Sequence, residues 1–201
     1  MTEPGAPPGR DAAWVVLEAP LQPSELETFC RELETLYRIN PFLEFESWQQ
    51  RTPERFRAAF LNHSNGLRVV LDGEMRRESG RAWCVEFAAG AKRRTRFEIE
   101  PWPGGSRLTI TDEYRAAGDG AAAVVAEADR SLHAWGVALK AFLERDRRWR
   151  WLPGYRVFMH KVWLPMRPAA RRITFLVLVI GLADIALIAL GLAVYWIEFV
   201  R

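Results

Sequence analysis

The residues of this chain that could do chemistry are few, and their spacing argues mostly against catalysis. His63, His133 and His160 have no HExxH spacing and no cysteine neighbours, so they do not outline a metal site. Cys30 and Cys84 lack the spacing of paired ligands and read as buried thiols of a reducing compartment. No P-loop, no GxGxxG after a strand and no GxSxG elbow occurs. Glu44 and Glu46 share one strand face, which reads as solvated. The expectation is a binding protein with no cofactor and no metal, not an enzyme.

More informative are polar residues inside apolar patterns. Asp112 lies in register between Ile110 and Tyr114, Ser47 follows Leu43 and Phe45, and Asn62 follows Phe56, Ala58 and Phe60. A buried polar group needs a partner, which ligand, water or arginine can each supply. Asp112 is the best candidate for orienting a ligand head; the alternative is a structural aspartate satisfied near a strand end.

These residues need elements to position them. Trp14–Ala19 is a β-branched run closed by Pro20 and reads as a first strand. A helix opens at Pro23-Ser24-Glu25 and runs to about Tyr37, with Leu26, Phe29, Cys30, Leu33, Leu36 and Tyr37 at helical spacing, and Asn40-Pro41 stops it. Six strand-like runs follow, at 42–50, 55–62, 67–77, 82–88, 92–101 and 106–116. Their short turn-like separators, among them Asn65-Gly66 and Pro103-Gly104-Gly105, make neighbours antiparallel. In the fifth run Arg94, Arg96, Glu98 and Glu100 alternate with Thr95, Phe97 and Ile99, which gives one wet face and one covered face. A long helix over about 121–148 carries an apolar stripe of Val125, Ala128, Leu132, Trp135, Leu139 and Phe142.

The order strand, helix, six antiparallel strands, long helix resembles the START/SRPBCC superfamily. The resemblance covers about residues 13–148. It rests on that order and on VVLEAP, LYRINP, RTRFEIEP with its PGGS turn, and RLTITDEY entering the last helix. It implies an α+β helix-grip fold (β-α-β6-α), in which a curved antiparallel sheet wraps a long C-terminal helix. It also implies a hydrophobic ligand, such as a lipid or quinone, between sheet and helix. A few members are cyclases or aromatases, and members associated with carbon monoxide dehydrogenase carry a C-terminal membrane tail. Cavity candidates are Phe45, Phe56, Ala58, Phe60, Val69, Leu71, Val85, Phe87, Phe97, Ile99, Ile110, Asp112, Tyr114, Leu132, Trp135 and Leu139; the alternative is that they simply fill a core.

The remaining chain addresses a membrane. Ile173–Val194 is an almost wholly apolar run of about 33 Å as a helix, matching a hydrocarbon core of roughly 30 Å. The expected organisation is a disordered tail over 1–12, the domain over 13–148, a basic-aromatic interfacial segment over 149–172 and a transmembrane helix over 173–197. Trp149, Trp151, Trp163, Arg167, Arg171 and Arg172 suit the near interface, and Tyr195 and Trp196 the far one. The excess of Lys and Arg before the span places the domain in the cytoplasm of a bacterium, at the inner membrane. The formal charge is +3, and the basic surplus sits beside the span, which favours lipid over nucleic acid as partner.

Asp184 falls near mid-bilayer, where a carboxylate costs about 2.5–3.5 kcal/mol to insert. With Gly181 and Gly191 it could meet a neighbouring membrane helix. Two functional readings follow. One is a tail-anchored protein that binds or presents a hydrophobic ligand at the membrane surface. The other is an accessory or assembly subunit of a membrane enzyme complex, docked through its span. Cyclase-like activity ranks last.

Overall fold

The computed structural model describes residues 12–115, 121–166 and 168–199, without the side chains of 121–129, 168, 169, 172 and 199. Residues 1–11 of the expected N-terminal tail and Arg167 lie outside the described residues, as do the side chains of Val125, Ala128 and Arg172, whereas Ala12, expected to end the tail, opens the first strand. The chain divides into two units, Met1–Pro165 and Met166–Arg201.

In the first unit, β1 (Ala12–Ala19) leads through α1 (Pro23–Arg31) and α2 (Leu33–Arg38) into six strands: β2 (Leu43–Gln50), β3 (Arg55–Asn62), β4 (Leu67–Arg77), β5 (Ala82–Phe87), β6 (Lys92–Trp102) and β7 (Gly105–Tyr114). They form one antiparallel curved sheet in the order β1-β7-β6-β5-β4-β3-β2. Helix α3 (Ala121–Trp149) packs on the sheet, chiefly against β1. This is an α+β helix-grip architecture. Short hairpins make β2 to β7 a meander, and β1 closes it by pairing with the last strand.

One expected helix is two. The rod breaks at Glu32, whose φ and ψ are −75° and 72°. The break has a packing reason. Helix α1 rests on β6 and β7, whereas α2 rests on β2 at the opposite edge of the sheet. A bend lets Leu26 and Cys30 on one segment, and Leu33, Leu36 and Tyr37 on the other, all reach the core. The start is set by Pro23 in the first turn and by Glu25, whose carboxylate accepts the Gln22 N–H at 3.2 Å.

Alternation places the core. In β6 the inward Thr95, Phe97 and Ile99 are buried, and so are Leu108, Ile110 and Asp112 in β7. Leu132, Trp135, Leu139 and Phe142 of the α3 stripe close over them. Past α3 come a turn of helix α4 (Tyr155–Val157) and a π-helical turn over Phe158–Trp163. They are tied down by Met159 and Leu164, both in the core, while Tyr155 and Trp163 pack against it.

The second unit holds α5 (Pro168–Phe199). Within it Ile173–Glu198 is a 26-residue helix long and apolar enough to cross a membrane, and no side chain in its most apolar stretch is buried.

Candidate functional site

Between the sheet and α3 lies a cavity of about 340 Å³. Its wall is aromatic and aliphatic. Phe45, Phe56, Ala58, Phe60, Val69, Leu71 and Phe87 come from the strands, and Leu132 and Trp135 from α3. Asn62 of β3, and Asp112 and Tyr114 of β7, complete the expected residues found there. Phe97, Ile99, Ile110, Val85 and Leu139 are not in the wall; they are fully packed in the core around it. The cavity reaches the surface at the β3–β4 turn, where the exposed Leu67 and Val70 belong to its rim.

Two β-bulges bring in residues that strict alternation assigns elsewhere. The β2–β3 register slips between Phe45 and Ser47. The extra residue turns Trp48, rather than Ser47, to the inside behind Leu43 and Phe45. Ser47 is therefore exposed, which corrects its placement on the covered face. Trp48 stacks on Phe56 with ring centroids 4.3 Å apart. The second slip, between Lys92 and Arg94, aims Lys92 at the cavity instead of leaving it on the outer face with Arg94 and Arg96. Neither bulge has a glycine or proline to announce it. Tyr37 and Asn40 were also missed, because the α2 turn that delivers them read as the end of one amphipathic helix.

Lys92 gives the cavity its polar end. Its Nζ donates to Asp112 Oδ2 at 2.5 Å, the Thr95 hydroxyl donates to Oδ1 at 2.5 Å, and the Tyr114 hydroxyl reaches Oδ2 at 3.4 Å. Asp112 is almost wholly buried, while Lys92 keeps about a third of its side chain in solvent, 4% against 32% exposed. A buried carboxylate is thus matched by one cation and two hydroxyls, as desolvation demands. The aspartate is satisfied within the protein. Tyr37 lines the same cavity, with its ring stacked on Trp135 at 5.3 Å. Burial first, and then the charge of Asp112, push its hydroxyl well above the ordinary tyrosine pKa, with Thr95 offsetting part of the rise. The phenol therefore stays protonated, a donor.

The opening is held in shape from behind. Arg115 follows β7 and donates to the carbonyls of Phe87 at 2.6 Å, Gly90 at 2.5 Å and Lys92 at 3.0 Å. These bonds fix the β5–β6 turn, whose Ala89, Gly90 and Ala91 form one side of the rim.

Of the expected interfacial residues in the first unit, Trp149 and Trp151 are exposed, Trp151 most of all, whereas Trp163 is half-buried against the core. In the second unit Tyr195, Trp196 and Asp184 are exposed along α5, as is Gly191, and Gly181 is partly so.

No family model matches the sequence, and no curated protein matches it. Solved structures do. A START superfamily protein from Mycobacterium smegmatis superposes with a TM-score of 0.56 at 14% identity, over 67% of this chain and 97% of that one. The Zhui aromatase/cyclase from Streptomyces sp. R1128 gives 0.55 at 13% identity, over 68% and 95%. A protein from Thermus thermophilus gives 0.52 at 17% identity, over 67% and 97%. The chain therefore has the START-like helix-grip fold, followed by a long apolar C-terminal helix.

Proposed function

We propose that this is a tail-anchored membrane protein whose cytoplasmic helix-grip domain binds a hydrophobic ligand, lipid- or quinone-like, and presents it at the inner membrane of a bacterium. One observation carries the reading: a cavity of about 340 Å³ with a mainly apolar wall, in a chain that also bears an apolar helix of membrane-spanning length. Hydrophobic ligands of this kind reside in bilayers, and a tether raises their local concentration around the domain. The basic and aromatic side chains around Trp149 and Trp151 suit an anionic lipid surface. A START superfamily protein and an aromatase/cyclase share the fold, so it accommodates cyclase chemistry. No reaction is assigned, because the only carboxylate in the wall, among the described residues, is already held by Lys92, Thr95 and Tyr114.

A second reading, an accessory or assembly subunit docked through α5, is favoured by the exposed carboxylate of Asp184 within an apolar helix. One preparation tests both. Full-length protein purified in mild detergent should release a hydrophobic small molecule into an organic extract analysed by mass spectrometry. Ala58→Trp, which fills the cavity, should release none. Identical extracts from the two proteins would overturn the ligand reading. A stoichiometric membrane partner, lost in Asp184→Leu, would carry the accessory one.

A further inference from the structure

We infer that the face formed by Trp149, Trp151, α4 and the π-helical turn docks on the anionic headgroups of a bilayer and leaves the cavity mouth clear of that surface; this deepens the membrane-anchored reading above and rests on it. The first observation is how the face is made. The Leu164 N–H bonds the Met159 carbonyl at 2.9 Å, an i→i+5 turn that lines up residues five apart. Met159 and Leu164 therefore share one side and are buried in the core. Val157 and Val162, also five apart, share the other, with Phe158 beside them, and all three are exposed. A regular α-helix, with 3.6 residues per turn, would rotate one member of each pair away from the other. Among the described residues of the first unit, five of the eleven exposed large apolar side chains lie here, at 149, 151, 157, 158 and 162. Apolar side chains gathered in this way mark a contact surface.

The second observation is unpaired charge. Residues 147–172 hold eight basic residues and no Asp or Glu. Arg150 reaches Glu25 at 3.6 Å. Arg148, Arg156 and Lys161 are exposed and have no ion pair among the described residues. The outer face of the sheet differs, for its Arg55, Arg76 and Arg94 are tied to Glu74, Glu86 and Glu113. Free cations interleaved with exposed apolar side chains fit anionic headgroups lying over acyl chains. A single-stranded nucleic acid would use the cations and tryptophans, but Val157 and Val162 offer its bases no ring to stack on. In sequence the face is followed at once by the apolar run beginning at Ile173, which brings a bilayer to it.

The third observation is where the face stands in the domain. Helix α3 runs along β1: Gly136 lies against Val15, and Arg147 donates to the Pro20 carbonyl at 3.0 Å, just past the end of the strand. Ala19 pairs with Ser106, so Trp149 lies towards the β6–β7 turn end of the sheet. Leu132, in the cavity wall, is about 25 Å back along the helix. The rim at Leu67 and Val70 belongs to the β3–β4 turn, at the opposite end of the sheet.

The test uses the full-length protein in nanodiscs of phosphatidylcholine, alone or mixed with phosphatidylglycerol. Cys30 and Cys84 are buried, so a thiol-reactive NBD fluorophore labels only an introduced surface cysteine, either Val157→Cys on the face or Leu67→Cys at the rim. The Val157→Cys label should shift to shorter emission wavelength in the anionic discs, return in high salt, and keep its aqueous value in the neutral discs. The Leu67→Cys label should stay aqueous throughout. Each cation beside an anionic surface is worth about fivefold in equilibrium constant. Arg148→Gln, Arg156→Gln and Lys161→Gln together should therefore weaken docking about a hundredfold and abolish the shift. An unshifted Val157→Cys label in anionic discs, an equal shift in neutral ones, a shift at Leu67→Cys, or a shift produced by an added oligonucleotide and not by phosphatidylglycerol would each overturn the inference while leaving the anchor intact. If the unlabelled protein enters discs of neither composition, the anchor reading falls and this inference with it.

Discussion

At the scale of single residues, the outer face of the sheet is governed by charge pairs. Glu78 lies between Arg94 and Arg96, and its carboxylate accepts from Arg96 Nε at 2.6 Å. Burial alone would raise its pKa, but the hydrogen bond and charge of Arg96, helped by Cys84 and Arg94, outweigh it and hold the carboxyl below the usual glutamate value. The folded protein therefore binds this proton less readily than the unfolded chain does. Its stabilising contribution is complete above the ordinary glutamate pKa of about 4.3 and disappears as the pH falls through the lower folded value. The gap in unfolding free energy between the parent and Glu78→Gln should thus be widest at neutral pH and shrink towards pH 3. Denaturant titrations at the two pH values measure it, and a constant gap would show that the carboxylate is not linked to folding. Cys84, beneath the same cluster, is pushed up to about 11 by burial and by the carboxylates of Glu78 and Glu86. It is held as a thiol at neutral pH, in keeping with a structural role for this cysteine.

At the scale of elements, the grip depends on how closely α3 can lie on β1. Gly136 sits at the contact, and a Cβ there would come within 2.7 Å of Val15 Cγ2. Replacing a mid-helix glycine by alanine gains about 0.5–1 kcal/mol of helix propensity, whereas overpacking costs about 1–3 kcal/mol. The clash is with a branched side chain on a paired strand, so the cost prevails. Gly136→Ala should destabilise the domain by about 1 kcal/mol or more, read as a lower denaturant midpoint at unchanged slope. A higher midpoint would mean that the helix can lift off β1 without loss. The same reasoning separates the legible elements from the illegible ones. Strands β3 to β7 announce themselves through period-two alternation and turn residues, so their limits could be read to within two residues and their inward faces directly, apart from Lys92 at the bulge in β6. The break at Glu32 could not, because both segments keep a helical apolar period and only the curvature of the sheet requires the bend.

At the scale of the whole molecule, the two units make separable demands. Residues 1–165 carry the buried core, and 166–201 carry an apolar helix with its side chains exposed. About twenty such residues insert into a bilayer readily, and one mid-span aspartate does not reverse the balance of more than a dozen large apolar side chains. The protein should resist alkaline extraction from membranes, and a chain ending at Pro165 should be released. Protease added to sealed inside-out vesicles should digest the domain while sparing the span. Digestion only in right-side-out vesicles would reverse the assigned orientation. The proposed orientation rests on an excess of Lys and Arg before the apolar run, against Arg201 and Glu198 after it, and that asymmetry is a property of the sequence.

Order of elements and most strand faces follow from local periodicity, because burying one face of a strand or helix imposes a repeat that the chain must display; the apolar terminal helix follows from the length of its run, and the helix-grip class from the resemblance of the element order to the START/SRPBCC superfamily. The membership of the cavity does not follow. It turns on two single-residue bulges and one helix break, each of which reverses the direction of a side chain without changing the local pattern of residue types. Trp48 and Lys92 enter the wall, Ser47 leaves it, and Tyr37 arrives from a helix turn far from the strands in sequence. Which groups converge on Asp112 is therefore decided by long-range register, a quantity that only the folded chain possesses.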